Sequence, residues 1–199
     1  LSQNGPAERE IHIGLEQESD EFHKILQREN IEVNDSFGEE GYILLVKADK
    51  IIIAANHQRG LFYGVQTLKQ MVRGTQGNSV LPGVKIKDIP AFKYRAISDD
   101  ISRGPVPTME YMKYQVRRLA EMKINTISYY VEHVVKTMSH PKFAPDNGSL
   151  TIDEWKEIAD YALDYNITVV GGFQSFGHFK NILQTPEYAH LGENGTLLS

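Results

Sequence analysis

The sequence predicts an α/β protein, in which a small α+β domain is followed by the first three βα units of a TIM (β/α)8 barrel, left incomplete in this chain. Two observations support this prediction. Beyond residue 90, β-rich runs alternate with amphipathic helical stretches, and this alternation requires parallel strands with right-handed crossovers, as in the first part of a (β/α)8 barrel or in a doubly wound sheet. Polar residues also gather where each predicted strand ends, which is where parallel α/β folds carry their chemistry. We therefore divide the chain into residues 1–90, the leading domain, and residues 91–199, the partial barrel.

The leading domain is predicted to contain a hairpin followed by a helix. Tyr42–Lys47 and Lys50–Ala55 are β-rich runs separated by two residues, a spacing that is typical of a tight hairpin. Apolar residues then recur at helical spacing over 61–72, and Gly74 marks the end of this helix. The Gly- and Asn-rich stretch 74–83 predicts a loop.

Three strands and two helices are predicted beyond residue 90. The strands are YRAISDDI, NTISYYVEH and TVVGGFQ. Thr108 precedes the first helix, and Thr151 with Glu154 three residues later gives the second helix a capping box. Apolar residues at helical spacing give each helix one buried face. The aromatic residues at strand and helix spacing are expected to pack in the core: Tyr129, Tyr130, Trp155, Tyr161 and Tyr165.

The composition argues against several classes of protein. The chain is 41% hydrophobic, which is enough for a core, and its net charge of -5 with no basic stripe argues against nucleic acid as a partner. No run approaches the roughly 18 apolar residues of a membrane span. The absence of cysteine removes disulfides, thiolate metal sites and cysteine nucleophiles. Because no glycine-rich nucleotide-binding loop follows a predicted strand, we expect no cofactor.

The candidate site residues follow the ends of the predicted strands. The carboxyl ends of parallel strands meet at one edge of a sheet, so we expect these side chains to line one pocket. Carboxylates, an arginine and histidines suit a neutral ligand rich in hydroxyl groups. The residues concerned are Asp100, Arg103, Glu132, His133, Gln174 and His178.

Several of these stretches resemble the β-N-acetylhexosaminidases of glycoside hydrolase family 20. GLFYGVQTLKQMV is similar to the helix of the small α+β domain that precedes their barrel. YRAISDDISRG is similar to their first barrel strand, whose usual pattern Arg-Gly-x-x-x-Asp-x-x-Arg is matched by Arg95, Asp100 and Arg103, with Ala96 in place of the glycine. LAEMKINTISYYVEH and VVGGFQSFGHF resemble the second and third strands. The Gln-x-Phe-Gly-His form is nearer to the divergent hexosaminidase D-like branch.

The resemblance implies an exo-acting β-N-acetylhexosaminidase that works by substrate assistance. The acetamido oxygen of the substrate attacks its own anomeric carbon, one carboxylate orients the amide, and a neighbouring carboxylic acid protonates the leaving oxygen. In the family this Asp-Glu pair ends the fourth strand, whereas this chain stops at Ser199. We therefore expect no catalytic residue within the chain, and no activity from it alone. The implied partner is a glycan ending in N-acetylhexosamine, and a secreted or periplasmic location is favoured over the cytoplasm.

The resemblance also implies roles for individual residues. Arg95 matches the arginine that binds the hydroxyl groups of the terminal sugar. Glu132, His133 and Gln174 are expected to contact the substrate too, although Glu132-His133 departs from the usual Thr-Asp-Asp sequence at that position. Two residues are expected to support the catalytic carboxylates from behind, namely His178 and Asp100, and Asp100 also fits a structural pair with Arg103.

The residues leave four alternatives open. Asp100 and Glu132 also fit an acid and nucleophile pair of a retaining glycosidase. His133, His178 and Asp100 fit a metal site, although they lack the short fixed spacing of known metal motifs. A noncatalytic carbohydrate-binding or scaffold protein would retain the same half-site. A family 84-like N-acetylglucosaminidase would favour adjacent aspartates where this chain has Glu132-His133.

The incomplete barrel has an expected physical consequence. Closure removes the edges of a barrel sheet, and three βα units cannot close. We therefore expect this stretch, when expressed alone, to self-associate through the open edge or to be only marginally stable.

Overall fold

A computed structural model of the chain describes residues 9–75, 77–174 and 177–193. The chain divides into two compact units between Lys93 and Tyr94, and both units combine helices with a sheet. Within the described residues, no helix combines the length and the apolar character needed to cross a bilayer.

The first unit is a four-stranded sheet with a helix on each face. Its strand order is β1-β3-β2-β6, with β1 parallel to β3 and the other pairs antiparallel. The predicted hairpin is confirmed as β2 and β3. Phe22 and Leu26 of α1 pack on the face that carries Ile52, while Tyr63 of α2 packs on the face that carries Ile53. The elements are β1 (Glu10–Leu15), α1 (Asp20–Arg28), β2 (Tyr42–Val46), β3 (Lys50–Ala55), α2 (Gln58–Met71) and β6 (Val84–Asp88).

The stretch predicted as a loop in this unit is in part a hairpin. β4 (Arg73–Thr75) pairs antiparallel with β5 (Asn78–Val80), so the loop prediction for 74–83 is wrong there. Both strands are exposed and short, and they lack the apolar alternation by which a strand is recognised. Gly74 has a φ of 110°, in the left-handed region that glycine adopts without strain.

The second unit is built on a three-stranded parallel sheet of order β11-β8-β7. The predicted parallel pairing is confirmed, and the described residues form no closed barrel. The last residues of the three strands, Asp100, Tyr130 and Gly172, are register partners. The elements are β7 (Ala96–Asp100), α3 (Met109–Glu121), β8 (Thr126–Tyr130), the short parallel pair β9 (Val135–Lys136) and β10 (Leu150–Thr151), α4 (Ile152–Leu163), β11 (Thr168–Gly172) and α5 (Lys180–Leu183).

One face of this sheet packs against α3 and α4. The contacts with these helices show which strand residues lie on that face and which lie on the opposite one. The buried Tyr129 donates to Gln115 Oε1 at 2.8 Å, and its ring centroid lies 5.5 Å from that of Trp155. Gln115 Nε2 in turn donates to Asp99 Oδ2 at 2.9 Å. Burial raises the pKa of the Tyr129 hydroxyl above its ordinary value. Because side chains alternate along a strand, Asp100 and Tyr130 project to the opposite face.

The capping box at the start of α4 yields a testable prediction about stability. The Thr151 backbone N–H and hydroxyl donate to Glu154 Oε2 at 2.7 and 2.9 Å and lower the pKa of that carboxyl. The ionised carboxylate therefore stabilises the fold above its ordinary pKa of 4.5, and this contribution is lost as the pH falls through the lower folded value. Thr151→Ala should reduce the free energy of unfolding at pH 7 by about 1 kcal/mol, and by less at pH 3.

Urea unfolding followed by the fluorescence of Trp155, which lies in α4, measures this effect. Thr108→Ala is the matched control. Thr108 caps α3 by accepting from Tyr111 N at 3.2 Å, and position 111 has no carboxylate to reach back to it. Its loss should also be about 1 kcal/mol, but equal at both pH values. An equal loss at both pH values for Thr151→Ala would contradict the prediction.

Candidate active site

Side chains from three neighbouring strand ends meet at the carboxyl edge of the parallel sheet. Arg103 Nη2 donates to Glu132 Oε1 at 3.0 Å and to His178 Nδ1 at 2.9 Å. Arg103 Nε lies 3.9 Å from Asp100 Oδ2. One guanidinium thus joins residues that follow β7, β8 and β11.

Asp100 is fixed by the turn that leaves β7. Its Oδ1 accepts from the Ser102 backbone N–H at 3.0 Å and from the Ser102 hydroxyl at 2.6 Å. These hydrogen bonds, of which the hydroxyl bond has the largest effect, lower the pKa of the Asp100 carboxyl, and Arg103 lowers it further. A general acid requires the opposite shift. The geometry therefore does not suit Asp100 to the acid role of a retaining pair with Glu132.

Glu132 is the buried member of the group, with a residue exposure of 6%. Its Oε1 accepts from the Tyr130 hydroxyl at 2.9 Å in addition to Arg103 Nη2. The Glu132 hydrogen bond raises the pKa of the Arg103 guanidinium, which keeps that cation charged. Glu132 also has a φ of 37°, a left-handed conformation that costs a non-glycine residue on the order of 1–3 kcal/mol and persists where the surroundings enforce it.

His178 completes the group from the turn after β11. Its φ of 56° is also left-handed, and the buried Ile182 and Leu183 of α5 anchor the segment that follows. Arginine can only donate hydrogen bonds, so His178 Nδ1 must be the acceptor of the 2.9 Å contact with Arg103.

His133 and Gln174 lie beside this group. His133 Nδ1 is 4.0 Å from Glu132 Oε2, and Asn181 Nδ2 lies 3.3 Å from the same ring nitrogen. Gln174 follows β11, is exposed, and makes no hydrogen bond within the described part of the chain. His133 is therefore next to the carboxylate, whereas the Gln174 side chain is not joined to it.

The structure does not bring Arg95 to this group. Arg95 precedes β7 at the amino end of the sheet, where its Nε donates to the Lys123 carbonyl oxygen at 2.7 Å and its backbone N–H donates to Asn125 Oδ1 at 2.9 Å. Asp100 is five residues further along, at the other end of β7, a distance of about 16 Å along a strand. Arg95 therefore lies at the opposite end of β7 from Arg103, and its expected contact with substrate stays a prediction.

Sequence reasoning also missed the roles of two residues. The sequence places Arg103 at a strand end and as a partner of Asp100, but it does not show that Arg103 is the centre of the group. Tyr130 was expected in the core, yet its hydroxyl binds Glu132. Alternation along β8 separates Tyr129 from Tyr130, and this signal was available, but the sequence alone does not say which of the two faces the helices.

The donor set does not resemble a metal site. Among residues 9–75, 77–174 and 177–193, no three His, Asp or Glu side chains are close enough together to hold a metal ion. Arg103 lies between the carboxylates, where its positive charge would repel a cation. The arrangement is instead suited to hydrogen bonding of a neutral ligand.

Comparisons with known proteins all lead to one family. Residues 2–89 match the family model described as glycosyl hydrolase family 20, domain 2. The chain is 26% identical over 184 residues to a β-hexosaminidase of Vibrio furnissii, covering 79% of this chain and 30% of the relative. It is 30% identical over 163 residues to a β-hexosaminidase of Porphyromonas gingivalis, covering 70% of this chain and 21% of the relative.

A solved structure gives the same result for the fold. The family 20 β-N-acetylhexosaminidase from Streptomyces coelicolor superposes with a TM-score of 0.73 at 26% identity, over 81% of this chain and 36% of that one. The chain therefore spans well under half the length of the relatives it matches.

Proposed function

Because this chain belongs to glycoside hydrolase family 20, we propose that it is part of a β-N-acetylhexosaminidase-like glycosidase that removes terminal N-acetylhexosamine from glycans. The reaction is retaining and substrate-assisted, and its catalytic Asp-Glu pair lies beyond residue 199. β7, β8 and β11 are then the first three strands of a (β/α)8 barrel. A secreted or periplasmic location goes with a glycan substrate of this kind.

The observation that carries the proposal is the group formed by Arg103, Glu132 and His178 at the carboxyl ends of parallel strands, in a chain with these relatives. Barrel enzymes bind their substrates at this edge. The group is polar and rich in hydrogen-bonding capacity, as recognition of a sugar requires.

In this proposal Arg103 takes the sugar-binding role that the resemblance assigned to Arg95. Glu132 and His178 hold its Nη2, while Nη1 has no hydrogen bond from the described residues. The side chain is 55% exposed. A guanidinium fixed in this way presents its remaining N–H donors to two neighbouring hydroxyl oxygens.

The other residues have supporting or contacting roles. Asp100 and His178 position Arg103, which is how they support the site. Glu132 and His133 contact the sugar, and Gln174 reaches it from the third strand. All of these roles place the sugar at the same edge of the sheet. The first test of the proposal is therefore whether the protein hydrolyses an N-acetylhexosaminide.

The activity test compares three aryl glycosides with the full-length protein. If the acetamido group is the nucleophile, 4-nitrophenyl N-acetyl-β-glucosaminide or the galactosaminide should be hydrolysed more than about 10³-fold faster than 4-nitrophenyl β-glucoside, which lacks that group. Proton NMR should show the β-anomer of the released sugar first. Equal rates on the glucoside, or the α-anomer first, would overturn the proposed mechanism. Binding of N-acetylglucosamine without turnover would support a noncatalytic protein instead.

A further inference from the structure

The two oxygens of the Glu132 carboxylate have different surroundings. Oε1 accepts two hydrogen bonds, from the Tyr130 hydroxyl at 2.9 Å and from Arg103 Nη2 at 3.0 Å. No hydrogen bond reaches Oε2 from the described residues, and His133 Nδ1 is 4.0 Å away from it. The side chain is only 7% exposed. A carboxylate oxygen without a protein donor is free to accept from a ligand, so a hydroxyl group that arrives at Oε2 forms a charge-assisted hydrogen bond.

Tyr130 is suited to hold this carboxylate in one orientation. It is the last residue of β8 and pairs with both Asp100 and Gly172, so its backbone is fixed on both sides. Burial raises the pKa of the Tyr130 hydroxyl, and so does its hydrogen bond to Glu132. The hydroxyl therefore stays protonated at neutral pH, and its single proton is donated to Oε1.

We propose that Tyr130 is a positioning residue. Together with Arg103 it occupies Oε1 of Glu132 with two hydrogen bonds, so that Oε2 is the oxygen that accepts a hydrogen bond from a hydroxyl group of the bound sugar. This inference rests on the proposed function, because it takes the ligand to be a sugar. It makes the site selective for a ligand with an O–H donor at one ring position. A site built to hydrogen-bond a hydroxyl group strongly rejects an analogue that lacks it.

The first experiment measures selectivity in the full-length enzyme. Tyr130→Phe should lower kcat/KM for an aryl N-acetyl-β-hexosaminide by about 10-fold or more, as expected for a hydrogen bond to a charged group. The substrate is then replaced in turn by its 3-, 4- and 6-deoxyfluoro analogues. For the analogue that lacks the donor to Oε2, Tyr130→Phe should have little further effect.

A matched control separates this role from a structural one. Tyr161 is another tyrosine with a hydrogen-bonded hydroxyl, which accepts from Arg117 Nη1 at 2.8 Å, but it lies on α4. Tyr161→Phe should leave kcat/KM and the analogue pattern unchanged. If Tyr130→Phe slows all analogues and the parent substrate by the same factor, its role is structural and the inference is overturned.

A second measurement does not depend on catalysis, so it separates this inference from the proposed function. Titration of the Tyr130 ring followed by ¹³C NMR, assigned with Tyr130→Phe, should show ionisation at lower pH in Glu132→Gln than in the wild type. Glu132→Asp, which withdraws the carboxylate by one methylene, serves if Glu132→Gln does not fold. An unchanged Tyr130 titration would overturn the inference even in an active enzyme. Absence of hydrolysis with a changed titration would instead contradict the proposed function.

Discussion

Replacing Arg103 with lysine should lower kcat/KM for an aryl N-acetyl-β-hexosaminide by about 30- to 300-fold, whereas Arg95→Lys should change it by less than about threefold. The two arginines belong to one sequence pattern, but they lie at opposite ends of β7. The sequence pattern assigns sugar binding to Arg95, whereas the position in the structure assigns it to Arg103. Comparing the two variants decides between these assignments.

The physical reason is the planar fork of the guanidinium. Arg103 binds Glu132 and His178 through one nitrogen and keeps further donors for a ligand. A lysine ammonium is a single point charge, so it cannot hold both partners and two sugar hydroxyl groups in one plane. Removing one partner of a buried charge pair costs about 2–5 kcal/mol. Because Arg103 is 55% exposed, solvent screens its charge, and we expect the cost of its replacement to lie in the lower half of that range.

Arg95 should behave differently because its side chain donates to the Lys123 carbonyl oxygen at the amino end of the strands. Arg95→Lys removes the 2.7 Å hydrogen bond to the Lys123 carbonyl oxygen, so it should reduce the free energy of unfolding by about 1 kcal/mol. Steady-state kinetics and urea unfolding of both variants of the full-length protein check this. A catalytic loss confined to Arg95→Lys would show that the substrate binds elsewhere.

The regular elements of the second unit could be predicted from sequence because their signals are local. Thr108 and Thr151 both cap helices as the sequence indicates, and each accepts from the backbone N–H three residues later. Strands between such helices have to pair in parallel, which gives the edge at which polar residues gather. This much requires only periodicity, caps and the handedness of crossovers.

The position of a residue relative to the ends of a short strand could not be predicted in the same way. The pattern that contains Arg95 and Arg103 spans nine residues, while β7 has only five, Ala96–Asp100. A boundary error of a few residues therefore decides which arginine reaches the site. Tyr130 is a similar case, since only packing against α3 and α4 reveals that Tyr129, not Tyr130, faces the helices.

In the first unit, some of the available signals were missed. β6 reads Val-Lys-Ile-Lys-Asp and alternates in burial, which is the pattern of a half-buried strand. No strand is predicted at these residues. β1 is a parallel edge strand whose partner β3 is 40 residues away in sequence, and no local signal specifies a pairing of that kind.

Gly60→Ala should destabilise the first unit by about 3 kcal/mol, although helix propensity alone predicts that alanine is about 1 kcal/mol more stable in a helix. Gly60 lies in the first turn of α2, where a Cβ would overlap the carbonyl oxygen of Gly41 and lie 2.8 Å from Ala55 Cβ. Since the obstacle is partly backbone, no side-chain rotation relieves it. The sign of the effect therefore decides between propensity and packing.

Hydrogen exchange of the β3 amides measures this change within the first unit, and far-UV circular dichroism during urea unfolding gives the global value. Gln58→Ala is the matched control, because it places an alanine at an exposed position of the same helical turn and should change stability by less than about 0.5 kcal/mol. Gly64→Ala should destabilise the unit as well, since its Cβ would lie 2.5 Å from Cγ2 of the buried Ile53, a β-branched side chain with little freedom to turn. If Gly60→Ala were as stable as the wild type, α2 could not lie this close to the sheet. Close packing would then not explain the glycines at positions 60 and 64.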